Sequence, residues 1–183
     1  IHDAMEGYRP EVTIHRLPGT GCLGYFIAAP ALQRLISNLH PDLVNAHYAS
    51  GYGTLARLAG CHPLLLSVWG SDVYDFPAAS RIHRWWLKSN IAAADALAST
   101  SHSMALHTKR FTKPEQPIAI TPFGIDVERF SSSQRNQDDK IRIGTIKTLL
   151  PKYGIDVLLQ AFAHLKKILP DEPSKRLILD IVG

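Results

Sequence analysis

Residues 64–75 read Leu-Leu-Leu-Ser-Val-Trp-Gly-Ser-Asp-Val-Tyr-Asp, an apolar run followed directly by a polar turn. The run Leu64–Val68 lacks the alternation of a half-exposed strand. A strand that is apolar on both faces is expected in a parallel sheet covered by helices. The turn begins at Gly70, and in open α/β sheets ligands bind beyond the carboxyl ends of the strands. We therefore predict a ligand crevice at this end of a parallel sheet.

The alternation of apolar strands and amphipathic helices continues on both sides of that run. Strands and helices that alternate at this spacing form βαβ units. We therefore predict that residues 1–130 form an α/β, Rossmann-like domain, with a parallel sheet and helices on both faces. We expect this domain to lack its first strand. The predicted strands lie at 11–17, 43–47, 64–68, 96–100 and 117–121, and the predicted helices at 25–39, 50–59, 80–94 and 103–111.

Residues 131–140 separate this domain from a second pattern. They read Ser-Ser-Ser-Gln-Arg-Asn-Gln-Asp-Asp-Lys, have no apolar anchor, and predict a linker. A strand, a helix and a strand follow at 141–146, 155–169 and 177–182. One βαβ unit is too small to bury a core of its own. We therefore expect residues 141–183 to be the truncated start of a second Rossmann-like domain, which either self-associates through unpaired edges and apolar faces or is poorly ordered.

The composition is that of a globular protein with a slight excess of positive charge. The 183 residues are 45% hydrophobic and 20% charged, and the net charge is +4. This charge favours anionic partners such as sugar nucleotides, lipid phosphates or a membrane surface, whereas no nucleic-acid-binding module is recognised. Cys22 and Cys61 fit small buried groups in a reducing compartment, so a cytoplasmic protein is predicted. No apolar run is long enough to span a bilayer.

Polar residues follow several predicted strands, where the ligand crevice is expected. Gly70 allows the backbone to approach a ligand closely. Asp72 either holds sugar hydroxyls or caps the turn by accepting hydrogen bonds from backbone N–H groups. His47 ends a strand next to Tyr48, and a lone histidine in that position is more often structural than catalytic. Ser101 lies between a strand and a helix, where a serine most often caps the helix.

Two motifs carry a resemblance to a known family. Trp-Gly-Ser-Asp-Val-Tyr at 69–74 and Pro-Phe-Gly-Ile-Asp-Val-Glu-Arg-Phe at 122–130 resemble motifs of the retaining family-4 (group 1) glycosyltransferases, which have the two-domain GT-B fold. His-Pro-Asp-Leu-Val-Asn-Ala-His at 40–47 is also similar to the pattern of relatives. The resemblance covers about residues 12–183. It implies transfer of a sugar, with retention, from a nucleotide sugar to a glycan or lipid-linked acceptor in cell-surface polysaccharide biosynthesis.

The resemblance also implies where the site lies. Many relatives have histidine in place of Trp69 and use it to hold the donor sugar. An indole nitrogen cannot accept a hydrogen bond, so Trp69 offers a stacking face instead and more weight falls on Asp72. The implied catalytic residues are Asp72 and His47, the implied sugar- and acceptor-binding residues are Tyr48, Trp69, Gly70 and Ser71, and the implied donor-side residues are Ser101, Gly124 and Asp126.

The turn that opens the second of these motifs should be rigid. Pro122 fixes its own φ and Gly124 permits a positive φ. In the family this turn faces the crevice between the domains. Asp126 either belongs to that crevice or only starts the turn over residues 127–130, and the sequence favours neither alternative.

Lys147 and Lys152 flank a predicted strand-to-helix loop. Lysines next to a helix N-terminus can neutralise a diphosphate. Relatives carry a basic residue, then a lysine five positions later, directly before a glycine; here Tyr153 is inserted before Gly154. The resemblance implies donor binding by these lysines without a metal ion or another cofactor. The family's paired glutamates have no equivalent in these residues, so we expect half a donor site and no transferase activity from this piece.

The predicted helix over 80–94 carries a separate signal. Arg81, Arg84 and Lys88 share one face and lie beside Trp85. Basic residues with interfacial aromatics suit an anionic membrane surface. The alternative is that the tryptophans belong to the core and the cations form a solvated face.

Two rival functions stay open at this stage. One is a nucleotide-sugar epimerase of the same fold, which would need no acceptor sugar. The other is a non-catalytic sugar- or lipid-binding domain that keeps the fold.

Overall fold

The computed structural model describes residues 12–19, 21–131 and 138–183. The chain divides between Ile125 and Asp126 into two compact units. The first unit contains α1 (Gly21–Leu39), β1 (Val44–His47), α2 (Tyr52–Leu58), β2 (Leu64–Val68), α3 (Phe76–Ala79), α4 (Arg81–Ala92), β3 (Ala96–Ser99), α5 (His102–Thr108) and β4 (Ile118–Ile120).

The sheet of the first unit has the order β1-β2-β3-β4, and every pair is parallel. Leu66 at the centre of β2 pairs with Ala46 on one side and with Leu97 on the other. Parallel neighbours require a crossover connection, and the helices that follow each strand provide it. The predicted α/β class, a parallel Rossmann-like sheet flanked by helices, is confirmed.

The core of this unit lies around β2, which has paired neighbours on both sides. Leu64, Leu66 and Val68 are almost completely buried, as the unbroken apolar run predicted, whereas Leu65 is half-buried. The helix α4 contributes one buried face, whereas its opposite face is exposed. The largest fully buried apolar side chains are Leu64, Leu66, Val68, Val73, Leu87, Ile91 and Leu97.

The predicted strand over residues 11–17 is wrong for the residues that the structure describes. Residues 12–17 have no regular secondary structure, and Glu11 lies outside the described part. Leu17 instead packs against a small cluster made by Ala28, Ala29 and Leu55. Alternation of apolar and polar residues favours an extended chain, but a strand also needs a neighbouring strand to pair with. The described residues of this segment pair with no strand.

The helix α1 begins at Gly21 rather than at Tyr25, so Pro30 lies inside the helix and does not limit its first turns. The predicted helices over 50–59, 80–94 and 103–111 are each shorter in the structure, and α3 precedes α4 as a separate short helix. Of the helices in the described residues, none is both long enough and apolar enough to cross a membrane.

The second unit contains a two-stranded parallel sheet. Its elements are β5 (Ile141–Ile146), a 3-10 turn (Pro151–Tyr153), α6 (Ile155–Ile168), α7 (Asp171–Arg176) and β6 (Leu177–Val182). Among the described residues of this unit, Leu177 is the single buried apolar side chain. The predicted linker falls largely on residues 132–137, which lie outside the described part.

Candidate functional site

The carboxyl ends of the strands in the first unit bring together the loops that carry most of the predicted residues. Tyr48 N donates to Ser67 O at 2.9 Å, which joins the loop after β1 to the end of β2. Thr121 N donates to Ser99 O at 2.8 Å and holds the loop after β4 in the same way beside β3. The predicted crevice edge is therefore built from neighbouring parallel strands.

An aromatic cluster lies at this edge. The indole Nε1 of Trp69 lies 3.2 Å from Nδ1 of His47, and the two ring centroids are 5.3 Å apart. The ring of Phe123 packs edge-to-face on Trp69 at 5.0 Å. All three rings border a cavity of about 190 Å³ that reaches down to Asn45 and Thr100 on the sheet. The cluster joins residues that are far apart in the chain.

The contact with Trp69 fixes the proton position on His47. An indole N–H can only donate, so Nδ1 of His47 accepts this hydrogen bond and carries no proton. The neutral imidazole then carries its proton on Nε2. Because His47 is exposed, this Nε2–H group is available to donate to a hydroxyl or phosphate oxygen of a ligand.

Asp72 does not face that opening, contrary to its predicted catalytic, sugar-holding position. Asp72 is 0% exposed. Its carboxylate accepts hydrogen bonds from the backbone N–H groups of Ala49 at 2.7 Å, Gly70 at 2.7 Å and Trp69 at 3.1 Å. The turn after β2 leaves N–H donors that need an acceptor when water is excluded. Asp72 therefore joins the loop after β1 to the loop after β2, and it positions the His47–Trp69 pair.

Two further predicted residues of this edge contact each other. The hydroxyl groups of Tyr48 and Ser71 lie 2.7 Å apart. Tyr48 has a φ of +81°, which is unfavourable for a residue with a side chain, and such strain concentrates at functional sites. Gly70 has a φ of +142°, a conformation that favours glycine. The backbone of this edge is thus held in unusual conformations at two neighbouring loops.

A buried polar network, which was not predicted, lies under these loops. Asn90 is fully buried on α4 and donates to Ala49 O at 2.9 Å and to the Thr54 hydroxyl at 2.8 Å, while it accepts from Arg57 Nε at 2.8 Å. Trp86 Nε1 donates to the same Thr54 hydroxyl at 2.7 Å. An amide inside the apolar stripe of a helix was the available signal, because such a group needs partners when buried.

A larger cavity, also missed, opens next to the same loop. It has a volume of about 420 Å³ and lies between α1, α3 and α4. Phe26 of α1 packs edge-to-face on Trp86 of α4 at 6.1 Å. The side chains that shape it include Tyr25, Phe26, Tyr48, Phe76, Ile82 and Trp86.

The donor-side residues Ser101 and Asp126 use their side-chain oxygens to cap backbone groups. Ser101 accepts from Met104 N at 3.2 Å and caps α5. Asp126 accepts from Glu128 N at 3.1 Å and Arg129 N at 3.0 Å, so it starts the turn that follows, which was one of the two alternatives. Gly124 is exposed and has no positive φ, so the reason given for a glycine at that position is wrong.

The second unit brings Lys147 and Lys152 to one aromatic ring. Their ammonium groups lie 4.4 Å and 5.2 Å from the centroid of Tyr153, the residue inserted relative to the family pattern. Gly154 follows with a φ of +63° and precedes the N-terminus of α6. Two exposed cations therefore lie next to a helix N-terminus, which is the arrangement that anions favour.

The helix α4 divides its tryptophans between surface and interior. Trp85 is 61% exposed, whereas Trp86 is half-buried. Arg81 and Lys88 are exposed, and the guanidinium of Arg84 lies 5.6 Å from the ring of Phe111. The core alternative therefore holds for Trp86 but not for Trp85, and contact of this helix with a membrane stays a prediction. Across the described ranges, no cluster of three or more His, Cys, Asp or Glu residues could hold a metal ion.

Comparisons with known proteins assign this chain to a family. The putative teichuronic acid biosynthesis glycosyltransferase TuaC of Bacillus subtilis (strain 168) is 26% identical over 105 residues, which is 56% of this chain and 26% of that relative. The match thus spans about a quarter of the length of the relative. The family model described as glycosyl transferase 4-like matches residues 2–101, more than half of the chain, including His47 and Trp69. The chain therefore belongs to the glycosyl transferase 4-like family.

Proposed function

We propose that this chain carries the acceptor side, and part of the donor side, of a glycosyltransferase. The enzyme moves a sugar from a nucleotide sugar to a glycan or lipid-linked acceptor, with retention, in the biosynthesis of a cell-surface polysaccharide. The family membership and the similarity to a putative teichuronic acid biosynthesis glycosyltransferase support this proposal. The observation that carries it is the His47–Trp69–Phe123 cluster at the carboxyl edge of a parallel sheet.

The cluster supplies the two kinds of contact that a sugar needs. The exposed rings of Trp69 and Phe123 offer apolar faces to the C–H groups of a pyranose. The Nε2–H of His47 donates to a sugar hydroxyl, and the Tyr48–Ser71 hydroxyl pair both donates and accepts. Asp72 acts through its backbone contacts and holds these loops in register.

The donor diphosphate binds at Lys147 and Lys152 in the second unit. The two ammonium groups and the N-terminus of α6 supply the positive charge that a metal ion provides in other transferases. No metal or other cofactor is part of this proposal. The cytoplasm is the proposed compartment, which the free, buried Cys61 thiol supports.

A binding experiment tests the donor site. Lys152→Ala should weaken binding of the nucleotide sugar that gives the highest turnover in a panel. A hydrogen bond to a charged group is worth roughly 1.5–3 kcal/mol, which corresponds to an affinity loss of roughly 10- to 150-fold. Isothermal titration calorimetry measures this affinity directly. Lys167→Ala is the matched control, because this exposed lysine lies at the other end of α6.

Two results would contradict the proposal. An affinity unchanged by Lys152→Ala would remove the lysine pair from the donor site. Both tests use an enzyme with a complete second domain, because this piece alone is expected to have half a donor site. In that enzyme, failure to release a nucleoside diphosphate from any nucleotide sugar in the panel, with lipid-linked and glycan acceptors present, would reject transferase activity.

A further inference from the structure

The 420 Å³ cavity of the first unit has an apolar, mostly aromatic wall. Its volume lies within the range of about 300–1,000 Å³ that is typical of small-molecule sites. Tyr25 and Phe26 approach from α1, Ile82 and Trp86 from α4, and Phe76 from α3. Its wall suits a hydrocarbon chain better than a sugar, because sugar hydroxyls need more hydrogen-bond partners than such rings provide.

The mouth of the cavity continues into an exposed apolar surface. Leu23, Phe26 and Ile27 of α1 are exposed, and their spacing of three and four residues places them on one face of the helix. Ile82 and Trp85 of α4 are exposed as well. Contiguous exposed apolar side chains of this size mark interaction sites in soluble proteins.

The same two helices carry only positive charge. The helices α1 and α4 have 19 and 12 residues, and neither contains an aspartate or a glutamate. Their cations are Arg34, Arg81, Arg84 and Lys88. Arg84 packs on Phe111, whereas the other three are exposed or partly exposed on the same helices as the apolar side chains. Helices that carry both apolar side chains and positive charge complement a molecule that has a hydrocarbon chain and an anionic headgroup.

The polar end of the cavity meets the candidate site through Tyr48. The ring of Tyr48 lines the cavity, while its hydroxyl contacts the Ser71 hydroxyl at 2.7 Å. Ser50 and Gly51 line the cavity beside it. A single amphiphile can therefore keep its chain among the aromatic rings and place its headgroup at the edge where sugar transfer is proposed.

We propose that this cavity binds the hydrocarbon chain of a lipid-phosphate acceptor. This inference rests on the proposed function, and it names the acceptor class as lipid-linked rather than as a free glycan. The exposed residues of α1 and α4 then face the membrane from which the lipid enters. The net positive charge of these helices attracts the anionic lipid to this surface, and its headgroup then lies at the Tyr48–Ser71 edge.

A titration with a defined single-chain lipid tests the inference. Farnesyl phosphate, kept below the concentration at which it forms micelles, is added to the purified protein, with calorimetry and tryptophan fluorescence as readouts. We expect saturable binding and a fluorescence change, because Trp86 lines the cavity. Farnesol, which lacks the phosphate, should bind at least several-fold more weakly. Inorganic phosphate, which lacks the chain, should not change the fluorescence.

A pair of glutamate variants separates the cavity from general charge effects. Ile82→Glu places a carboxylate at the mouth, and it should weaken farnesyl phosphate binding by at least tenfold. Leu106→Glu on α5 makes the same change in charge at a residue that does not line the cavity, and it should leave the affinity within twofold. Ile82 and Leu106 are both 70% exposed, so neither change disturbs the core. No saturable binding, or an equal loss in both variants, would overturn the inference.

Failure of this inference is distinguishable from failure of the proposed function. If the protein transfers sugar to a water-soluble glycan but does not bind farnesyl phosphate, the lipid acceptor is rejected and the transferase stands. If farnesyl phosphate binds as expected but an enzyme with a complete second domain turns over no nucleotide sugar with any acceptor, the transferase is rejected and the lipid-chain site stands.

Discussion

The two units of the chain use the same kind of sequence and reach different degrees of burial. In the first unit, β2 has a parallel neighbour on both sides, and its central leucine, Leu66, is fully buried. Among the described residues of the second unit, β5 and β6 pair only with each other, and no residue of α6 is buried. Apolar strands and an amphipathic helix therefore define the elements, whereas burial depends on how many layers and neighbours surround them.

The largest contrast between the units is expected for apolar side chains. Leu66→Ala in β2 should lower the free energy of unfolding by about 2–5 kcal/mol, because it leaves a cavity in a closed core. Leu159→Ala in α6 should change it by less than about 1 kcal/mol. Leu66 is 0% exposed and Leu159 is 49% exposed. Hydrogen exchange, followed separately for the amides of each unit, measures both effects.

Equal losses in the free energy of unfolding for Leu66→Ala and Leu159→Ala would contradict this predicted difference between the units. That result would mean that α6 packs as tightly in solution as the strands of the first unit.

Elements whose signal is local could be predicted from the sequence. The strands over 141–146 and 177–182 were predicted with the observed bounds, because both are rich in isoleucine and other strand-favouring residues and both are limited by charged residues or glycine. The strand over 11–17 was wrong because pairing depends on residues far away in the chain. The helix α7 was missed, since six residues next to a proline carry too little periodicity to distinguish a helix from a loop.

The candidate site could be predicted in location but not in the roles of its carboxylates. The motifs indicated the correct strand ends, and His47 and Trp69 do meet there. Asp72 was weighed as a ligand or as a cap, and the choice depends on a donor, Ala49 N, 23 residues away. The aromatic cavity also escaped prediction, because its wall combines side chains from three helices that no spacing rule connects.

The next contrast concerns capping carboxylates in the two units. Asp72→Ala leaves buried backbone N–H groups without an acceptor, and one such group costs about 1–3 kcal/mol. We therefore expect a loss of at least about 2 kcal/mol in the first unit. Asp126→Ala removes an exposed cap and should cost about 0.5–1 kcal/mol in the second unit.

Urea titration with a probe in each unit compares these two variants, and tryptophan fluorescence reports on the first unit, which contains all three tryptophans. A cost for Asp72→Ala as small as that for Asp126→Ala would show that water reaches the turn after β2.

The smallest contrast is expected in the response to acid. Asp95 accepts from Leu64 N at 2.7 Å and from His62 Nδ1 at 2.8 Å. The Leu64 N–H bond, followed by the His62 bond, lowers the pKa of Asp95 below its ordinary value of 3.8. A lowered pKa in the folded state stabilises the fold above the ordinary value, and this stabilisation is lost as the pH falls through the lowered pKa. Acidification from about pH 5 to about pH 2.5 should therefore destabilise the parent chain more than Asp95→Asn.

Asp138 in the second unit provides the matched comparison. A hydrogen bond from Arg142 lowers the pKa of Asp138, so the sign of its acid response is the same. Salt screens this exposed pair, and it also screens the exposed His62–Asp95 pair. The hydrogen bond from Leu64 N to Asp95, which joins the starts of β2 and β3, is part-buried and less screened. Each substitution abolishes part of the loss of stability that acid causes. At 1 M salt, at which the screening length is about 3 Å, the part that Asp138→Asn abolishes should shrink. The part that Asp95→Asn abolishes should persist. Unfolding midpoints across the pH series, with and without salt, measure both. Equal salt sensitivity in the two variants would show that the backbone contact of Asp95 contributes no more than a surface ion pair.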